Sequence, residues 1–206
     1  MRNTSDIETF LDLCHRVYEK DLVRGAGGNV SVRSGDRILI SPTGRCLGVV
    51  DEDDVVQLGL DGTVIGAGRP SKEWRMHLSC YGREDVRAVV HVHSAYAVGV
   101  ACLRQLDHDC SMPVYSPGYS VRVGKLPAVA YMRPGSSELA QAVATLIARR
   151  NSVLLANHGV VAVGASADQA FDIAEEIEEN ARLHFLLDGR GRPLDEQQQA
   201  ALAGRY

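Results

Sequence analysis

The sequence predicts a single α/β domain in which a central, mostly antiparallel sheet is flanked by helices. Three observations lead there. The chain has 206 residues, a length that suits one domain with a sizeable core. The apolar residues of its first third alternate between turn signals, which predicts strands joined by hairpins. Its second half alternates helical periods with short β-rich runs.

The elements follow in order. Ser5 and Glu8 have capping-box spacing ahead of a helical recurrence of Ile7, Phe10, Leu11, Cys14, Tyr18 and Leu22, which predicts a helix over residues 5–24. Gly25 to Gly28 is read as its stop. Val30 and Val32 alternate with Asn29, Ser31 and Arg33, the pattern of a strand with one buried face. Ser34-Gly35-Asp36 reads as a turn into a second strand at 37–40. Residues 55–60 and 63–65, around Asp61-Gly62, form another hairpin, so this sheet is largely antiparallel. A helix over 71–81 precedes a strand at 88–92 and a helix at 94–103. Residues 107–133 are rich in Pro, Gly and Tyr, with strand-like pieces near Val121 and Ala128. Ser136 caps a helix reaching 149. Residues 152–156 and 160–163 are β-rich runs on either side of Asn157-His158-Gly159. Ser166 and Gln169 have capping-box spacing before a long helix that ends near Asp188-Gly189, where Gly189 suits a left-handed cap. The tail is polar and helix-prone. The whole span, 1–206, is read as one domain.

Composition excludes several function classes. Twenty-two basic against 26 acidic side chains leave a formal charge of −4, without the basic surplus of a nucleic-acid scaffold. The longest apolar stretch, residues 88–103, is interrupted by His91 and His93. It also falls short of the roughly 20 residues that span a membrane. Residues 1–8 carry acid where a signal peptide has an apolar core. Cys14, Cys46, Cys80, Cys102 and Cys110 are odd in number, scattered and without a C-x-x-C pair, which reads as free thiols in a reducing cytoplasm.

The seven histidines hold the chemistry. His91 and His93 lie two apart on a strand, so both imidazoles project from one face. The strand's apolar surroundings imply burial, and buried imidazoles need partners; a metal ion satisfies both. His158, at a strand-to-turn junction before Gly159, is a candidate third ligand, although a His before Gly taken alone is a turn residue. Glu73, in Pro70-Ser-Lys-Glu-Trp-Arg-Met-His77, falls in the first turn of a helix. There an acid also stabilises the helix dipole. His77, four residues on, is a rival ligand, read as a partner behind the ligands or a core residue. Three imidazoles and one carboxylate suit Zn²⁺ or another divalent ion. Gly25-Ala-Gly-Gly-Asn29 is not a dinucleotide fingerprint, because residue 30 is Val and the order is helix–loop–strand. Its backbone can still form an anion nest. Thr43-Gly44 and Ser71-Lys72 add hydroxyls, backbone N–H groups, a helix N-terminus and an ammonium that suit a phosphate.

Gly28-Asn-Val-Ser31, Ser41-Pro-Thr-Gly44, Pro70 to His77, Val90-His-Val-His93 and Asn157-His-Gly159 resemble, in order and spacing, the motifs of the class II aldolase/adducin family, over residues 5–188. The family includes fuculose-phosphate and rhamnulose-phosphate aldolases, ribulose-phosphate 4-epimerase and 3-oxo-tetronate 4-phosphate decarboxylase. The resemblance implies that family's three-layer fold, and zinc held by His91, His93, His158 and Glu73, with Mn²⁺, Co²⁺ or Fe²⁺ as alternatives. It also implies Glu73 as general acid/base, and a phosphate site of Gly28, Asn29, Thr43, Gly44, Ser71 and Lys72. It further implies a homotetramer with interfacial active sites and a small phosphorylated sugar as substrate. The implied reaction is carbon–carbon bond cleavage through an enediolate stabilised by the metal. The family's epimerases share that enediolate. All four metal positions are present, which weighs against the metal-free, non-catalytic adducin-like branch. Sugar-phosphate aldolases tend to carry two small hydroxyl residues where this chain has Ser71-Lys72. The segments 114–119, 123–127, 131–135 and 174–182 look more like the decarboxylase branch. The aldolases use a tyrosine as proton donor; Tyr115 and Tyr119 are the candidates here, with Tyr131 beside them, and loop packing or subunit contact is the competing role for all three.

Overall fold

The computed structural model describes residues 5–202. Residues 1–4 and 203–206, which belong to the expected domain and to the N-terminal charge pattern, lie outside the described residues. Eight strands form one sheet: β1 (Asn29–Ser34), β2 (Arg37–Ile40), β3 (Val56–Gly59), β4 (Val64–Ile65), β5 (Ala88–Val92), β6 (Ala128–Val129), β7 (Ser152–Leu155) and β8 (Gly159–Gly164). Their spatial order is β4-β3-β2-β1-β5-β8-β7-β6. Every neighbouring pair is antiparallel except β6 with β7, as the hairpin signals predicted. The helices are α1 (Asp6–Glu19), α2 (Trp74–Cys80), α3 (Ala95–Ala101), α4 (Pro117–Arg122), α5 (Ser137–Ile147), α6 (Ala167–Leu187) and α7 (Glu196–Leu202). Among the described residues no helix is long and apolar enough to cross a membrane.

The sheet is covered on both faces, giving three layers. On one face Val30, Val32, Val90, Val92, Val160 and Ala162 pack against α1, α3 and α6. On the other, Ile38, Ile40, Val89, Val161 and Val163 pack against α2 and α5. This corrects the expectation for β1. A strand in the middle of a doubly covered sheet has no solvated side, so Asn29 and Ser31 are buried along with the valines. Their polar groups therefore require partners inside the protein.

Several boundaries depart from the sequence reading. Helix α1 stops at Glu19, well before Gly25, because Asp21 takes a left-handed φ of 55°. The Asp21 N–H then donates to Tyr18 and the Leu22 N–H to Val17, a Schellman closure in which Leu22 is the hydrophobic latch. Asp188, with φ 47°, joins Gly189, with φ 72°, in the left-handed region at the end of α6. Residues near Val121 are helical, not extended. Ser116 accepts from the Tyr119 N–H, and Pro117 occupies the first turn, where its missing N–H costs nothing. At α6 only half the expected capping box forms: Ser166 accepts from the Gln169 N–H, but the Gln169 amide oxygen takes the Ala165 N–H. The Ser5–Glu8 box closes in both directions.

A candidate metal centre beside an anion cleft

Antiparallel pairing sets the site. Asn29 on β1 lies opposite His91 on β5, and His91 lies opposite Val161 on β8. Opposed residues share a face, so Asn29, Ser31 and His91 all point toward α2. His158 arrives in the tight β7–β8 turn, where Asn157 adopts a φ of 56° and the His158 N–H donates to Leu155. Two glycines allow the close approach. A Cβ on Gly159 would run into the Val92 carbonyl and come within 2.9 Å of the His93 ring. Gly28, at φ +67°, passes so near β5 that a Cβ would lie 2.7 Å from the His91 carbonyl oxygen.

Glu73 occupies the N-cap of α2, with no capping hydrogen bond from its side chain, rather than the first turn expected. Its carboxylate is thereby turned to the imidazoles. Glu73 Oε2 lies 3.0 Å from His91 Nε2, and Oε1 lies 3.4 Å from His158 Nε2. His93 Nε2 is 2.9 Å from His91 Nε2. One ligand atom from each of Glu73, His91, His93 and His158 lies within 4.8 Å of all the others.

The donor chemistry fits a cation. His91 Nδ1 sits 2.9 Å from the Val160 carbonyl, which can only accept, so that nitrogen carries the proton. In the neutral ring Nε2 is then a bare lone pair, yet it faces a carboxylate oxygen and another imidazole nitrogen. Glu73 Oε1 is buried and has no hydrogen-bond partner. The His91 lone pair and the Glu73 carboxylate oxygen, two acceptors 3.0 Å apart, repel unless a proton or a metal sits between them. A backbone carbonyl on the far nitrogen of a ligand His is also the usual way of fixing its tautomer.

Electrostatics favours neutral His93 and His158, the form that binds metal. Burial first, and repulsion from His91 second, push His93 down to about 3 and His158 down to about 4 from 6.5. For Glu73, burial works to raise the pKa, but the neighbouring His91, the hydrogen bond from Asn29, and His158 together outweigh it. Its carboxyl is held below the ordinary carboxylate range.

The centre opens onto a cleft of about 420 Å³ lined by Gly28, Asn29, Thr43, Gly44, Ser71, Lys72, Glu73, His93 and His158, among others. The structure thus brings all six phosphate-site candidates to the metal candidates. Backbone bonds join the two loops that carry four of them: Thr43 N–H donates to Arg69 and Ser71 N–H to Ser41. His77 is not at the cleft. It is fully buried, with Nε2 2.5 Å from Asn29 Oδ1 and Nδ1 2.7 Å from Ser31 Oγ. Ser31 and Tyr81, which contact each other at 2.8 Å, escaped the sequence reading. The signal was present as Glu73, His77 and Tyr81 at helical four-residue spacing opposite Asn29 and Ser31 at strand spacing.

The structure does not bring the tyrosines to this cleft within one chain. Tyr119 is buried in the core with its hydroxyl unpartnered, and burial raises its pKa. The Tyr115 hydroxyl lies 3.3 Å from His184 Nδ1 on α6. Tyr131 is 62% exposed.

Comparison with known proteins agrees with this architecture. Residues 8–185 match the family described as class II aldolase and adducin N-terminal domain. A 3-oxo-tetronate 4-phosphate decarboxylase of Haemophilus influenzae is 37% identical over 192 residues, covering 92% of this chain and 91% of that protein. An L-fuculose phosphate aldolase of Methanococcus maripaludis is 38% identical over 184 residues, covering 89% and 98%. Among solved structures, YgbL of Escherichia coli, described as a putative aldolase/epimerase/decarboxylase, superposes with a TM-score of 0.90 at 34% identity over 94% of this chain and 95% of that one. An L-fuculose 1-phosphate aldolase superposes at 0.84 with 31% identity, covering 98% and 96%. With residues 8–185 matching the family and relatives 37% and 38% identical over about nine-tenths of its length, the chain belongs to the class II aldolase/adducin family.

Proposed function

We propose that the protein is a divalent-metal-dependent lyase that cleaves a carbon–carbon bond of a small phosphorylated sugar or sugar acid. One observation carries the reading: the lone pair of His91 Nε2 converges with Glu73 Oε2 and His93 Nε2 at the floor of a cleft whose rim holds Thr43, Gly44, Ser71 and Lys72. Glu73, His91, His93 and His158 would hold the ion, which we assign as Zn²⁺ on its three-nitrogen, one-oxygen ligand set. Bound there, it supplies Lewis-acid polarisation of a carbonyl and stabilises the negative charge that develops when the bond breaks.

The chain's own residues do the rest. Backbone and hydroxyl donors of Thr43, Gly44 and Ser71, with the Lys72 ammonium, hold the phosphate. One Asn29 N–H is committed to Glu73; its second N–H is available to substrate. Glu73 moves the proton, through an oxygen that no hydrogen bond ties down. Lys72 favours a substrate bearing carboxylate as well as phosphate, and so favours decarboxylation of a 3-oxo-tetronate 4-phosphate over aldol cleavage. The homotetramer implied by the sequence resemblance would set the cleft at a subunit interface, where a tyrosine of another copy reaches it. The five free cysteines support a cytoplasmic location.

The test begins with elemental analysis of protein purified without chelator, then incubation of the metal-loaded protein with fuculose 1-phosphate and with 3-oxo-tetronate 4-phosphate. Lactaldehyde from the first identifies an aldolase and CO₂ from the second a decarboxylase. Neither product despite bound metal refutes both assignments. Glu73→Gln is expected to retain the fold and much of the metal while losing most turnover; near-native turnover would remove Glu73 from proton transfer.

A further inference from the structure

Behind the candidate ligands runs a buried chain of side chains, of which Tyr81, Ser31 and His77 have no part in the reaction described above. Tyr81 OH lies 2.8 Å from Ser31 Oγ, Ser31 Oγ 2.7 Å from His77 Nδ1, His77 Nε2 2.5 Å from Asn29 Oδ1, and Asn29 Nδ2 3.1 Å from Glu73 Oε2. Ser31 and His77 are completely buried, and Tyr81 and Asn29 nearly so, so water does not compete for the Ser31–His77 link.

The chain has one consistent polarity. Glu73 as a carboxylate can only accept, so Asn29 must present its N–H₂ there and its carbonyl oxygen to His77. That oxygen requires a proton on His77 Nε2, and a neutral ring then has a lone pair on Nδ1. Ser31 must donate to that lone pair, and its oxygen is left to accept from the Tyr81 hydroxyl. Reversing any link turns the Asn29 oxygen onto the Glu73 carboxylate, where two acceptors would meet in a dry interior.

We infer that Tyr81, Ser31 and His77 are positioning residues that fix the Asn29 amide as a donor to Glu73 Oε2 and so aim the carboxylate at the metal position. The inference rests on the metal reading of the site. The amide is the switch point. If Ser31 ceases to donate, His77 is free to carry its proton on Nδ1, Asn29 rotates to offer Nδ2 to the bare Nε2, and its oxygen repels Glu73. The relay gives Ser31, His77 and Tyr81 one common role, and explains why the helix stripe Glu73–His77–Tyr81 lies over the strand face Asn29–Ser31.

The test is Co²⁺ binding to the full-length protein, followed by visible absorption and chelator competition, with ¹⁵N-histidine NMR on the metal-free form. Outer partners of metal ligands are worth about 10–100-fold in affinity. Ser31→Ala and His77→Leu should each weaken Co²⁺ binding by at least about tenfold and alter the cobalt spectrum. His77→Gln, whose amide still donates to Asn29 and accepts from Ser31, should restore near-native binding. Far-UV circular dichroism and a thermal melt of each variant separate loss of the relay from loss of the fold, and Tyr81→Phe, which keeps the ring, serves should Ser31→Ala not fold. In the wild type His77 should read as the Nε2–H tautomer. A wild-type His77 protonated on Nδ1, or folded Ser31→Ala and His77→Leu proteins that bind Co²⁺ as tightly as wild type, would overturn the relay. Wild-type protein that takes up no Co²⁺ would overturn the metal reading, and the relay with it.

Discussion

His77 makes the acid sensitivity of the metal-free protein calculable. Burial first, and repulsion from His91 second, push it down from 6.5 to about 3. A group with a depressed native pKa binds its proton more readily in the unfolded chain. Its stabilising contribution is therefore complete above pH 6.5 and is lost progressively as pH falls toward 3. At 1.36 kcal/mol per pH unit, lowering the pH from 7 to 4.5 removes about 2–3 kcal/mol through this one ring. For a domain of this size that is about 5–10 °C in the melting temperature. His93 and His158 titrate in the same direction, and Glu73, held low, adds its share below its unfolded value of 4.5. Total acid sensitivity therefore does not isolate His77, but a difference does. Glutamine cannot titrate, so chelator-treated His77→Gln should lose about 2–3 kcal/mol less than wild type over the same interval. The assay is thermal or urea unfolding of both proteins at closely spaced pH values. Parallel pH dependences would refute the assignment of a buried, neutral His77.

Gly28→Ala combines a left-handed φ with a Cβ 2.7 Å from the His91 carbonyl oxygen, so it should cost about 2–5 kcal/mol and weaken metal binding with it, read by urea unfolding and chelator competition. His91→Ala should abolish metal binding and turnover together; a variant still holding stoichiometric metal by elemental analysis would show that the other three ligands suffice. Lys72→Ala should raise KM with little change in kcat in steady-state assays, and an unchanged KM would place Lys72 in solvent.

The parts of this site that were legible in the sequence are those with a local period. His91 and His93 share a face because strands alternate, and the hairpin signals around Asp36 and Asp61 correctly implied an antiparallel sheet. The misreadings came from tertiary context. Ser31 was assigned to an exposed face because alternation cannot reveal that a second helical layer covers the strand. The strand expected near Val121 lost to the Ser116-Pro117 helix start. Glu73 fits a first-turn acid from sequence alone, and only the observed N-cap geometry shows why its carboxylate leaves the helix for the imidazoles. The pairing of Asn29 with His91 across β1 and β5 joins residues 62 positions apart, which no local pattern encodes.

The formal charge of −4 also misdescribes the place where chemistry is proposed. Histidines held neutral leave Glu73 as the sole anion of the four-ligand set, so a bound divalent ion would make that set positive by about one charge. Lys72 lines the same cleft and adds about one more. A phosphomonoester brings about −1.5 to −2 at neutral pH, and these charges would meet over the low-dielectric floor made by His91 and the strand beneath it, where Coulomb attraction is least screened. On the proposed reading, a phosphate would be held by the same positive field with which the bound ion would draw electrons from the breaking bond. An unphosphorylated sugar could still chelate the ion but would forgo that attraction. On that reading, selection against neutral sugars would arise from the electrostatics of the metal centre and Lys72 together, without a separate steric filter.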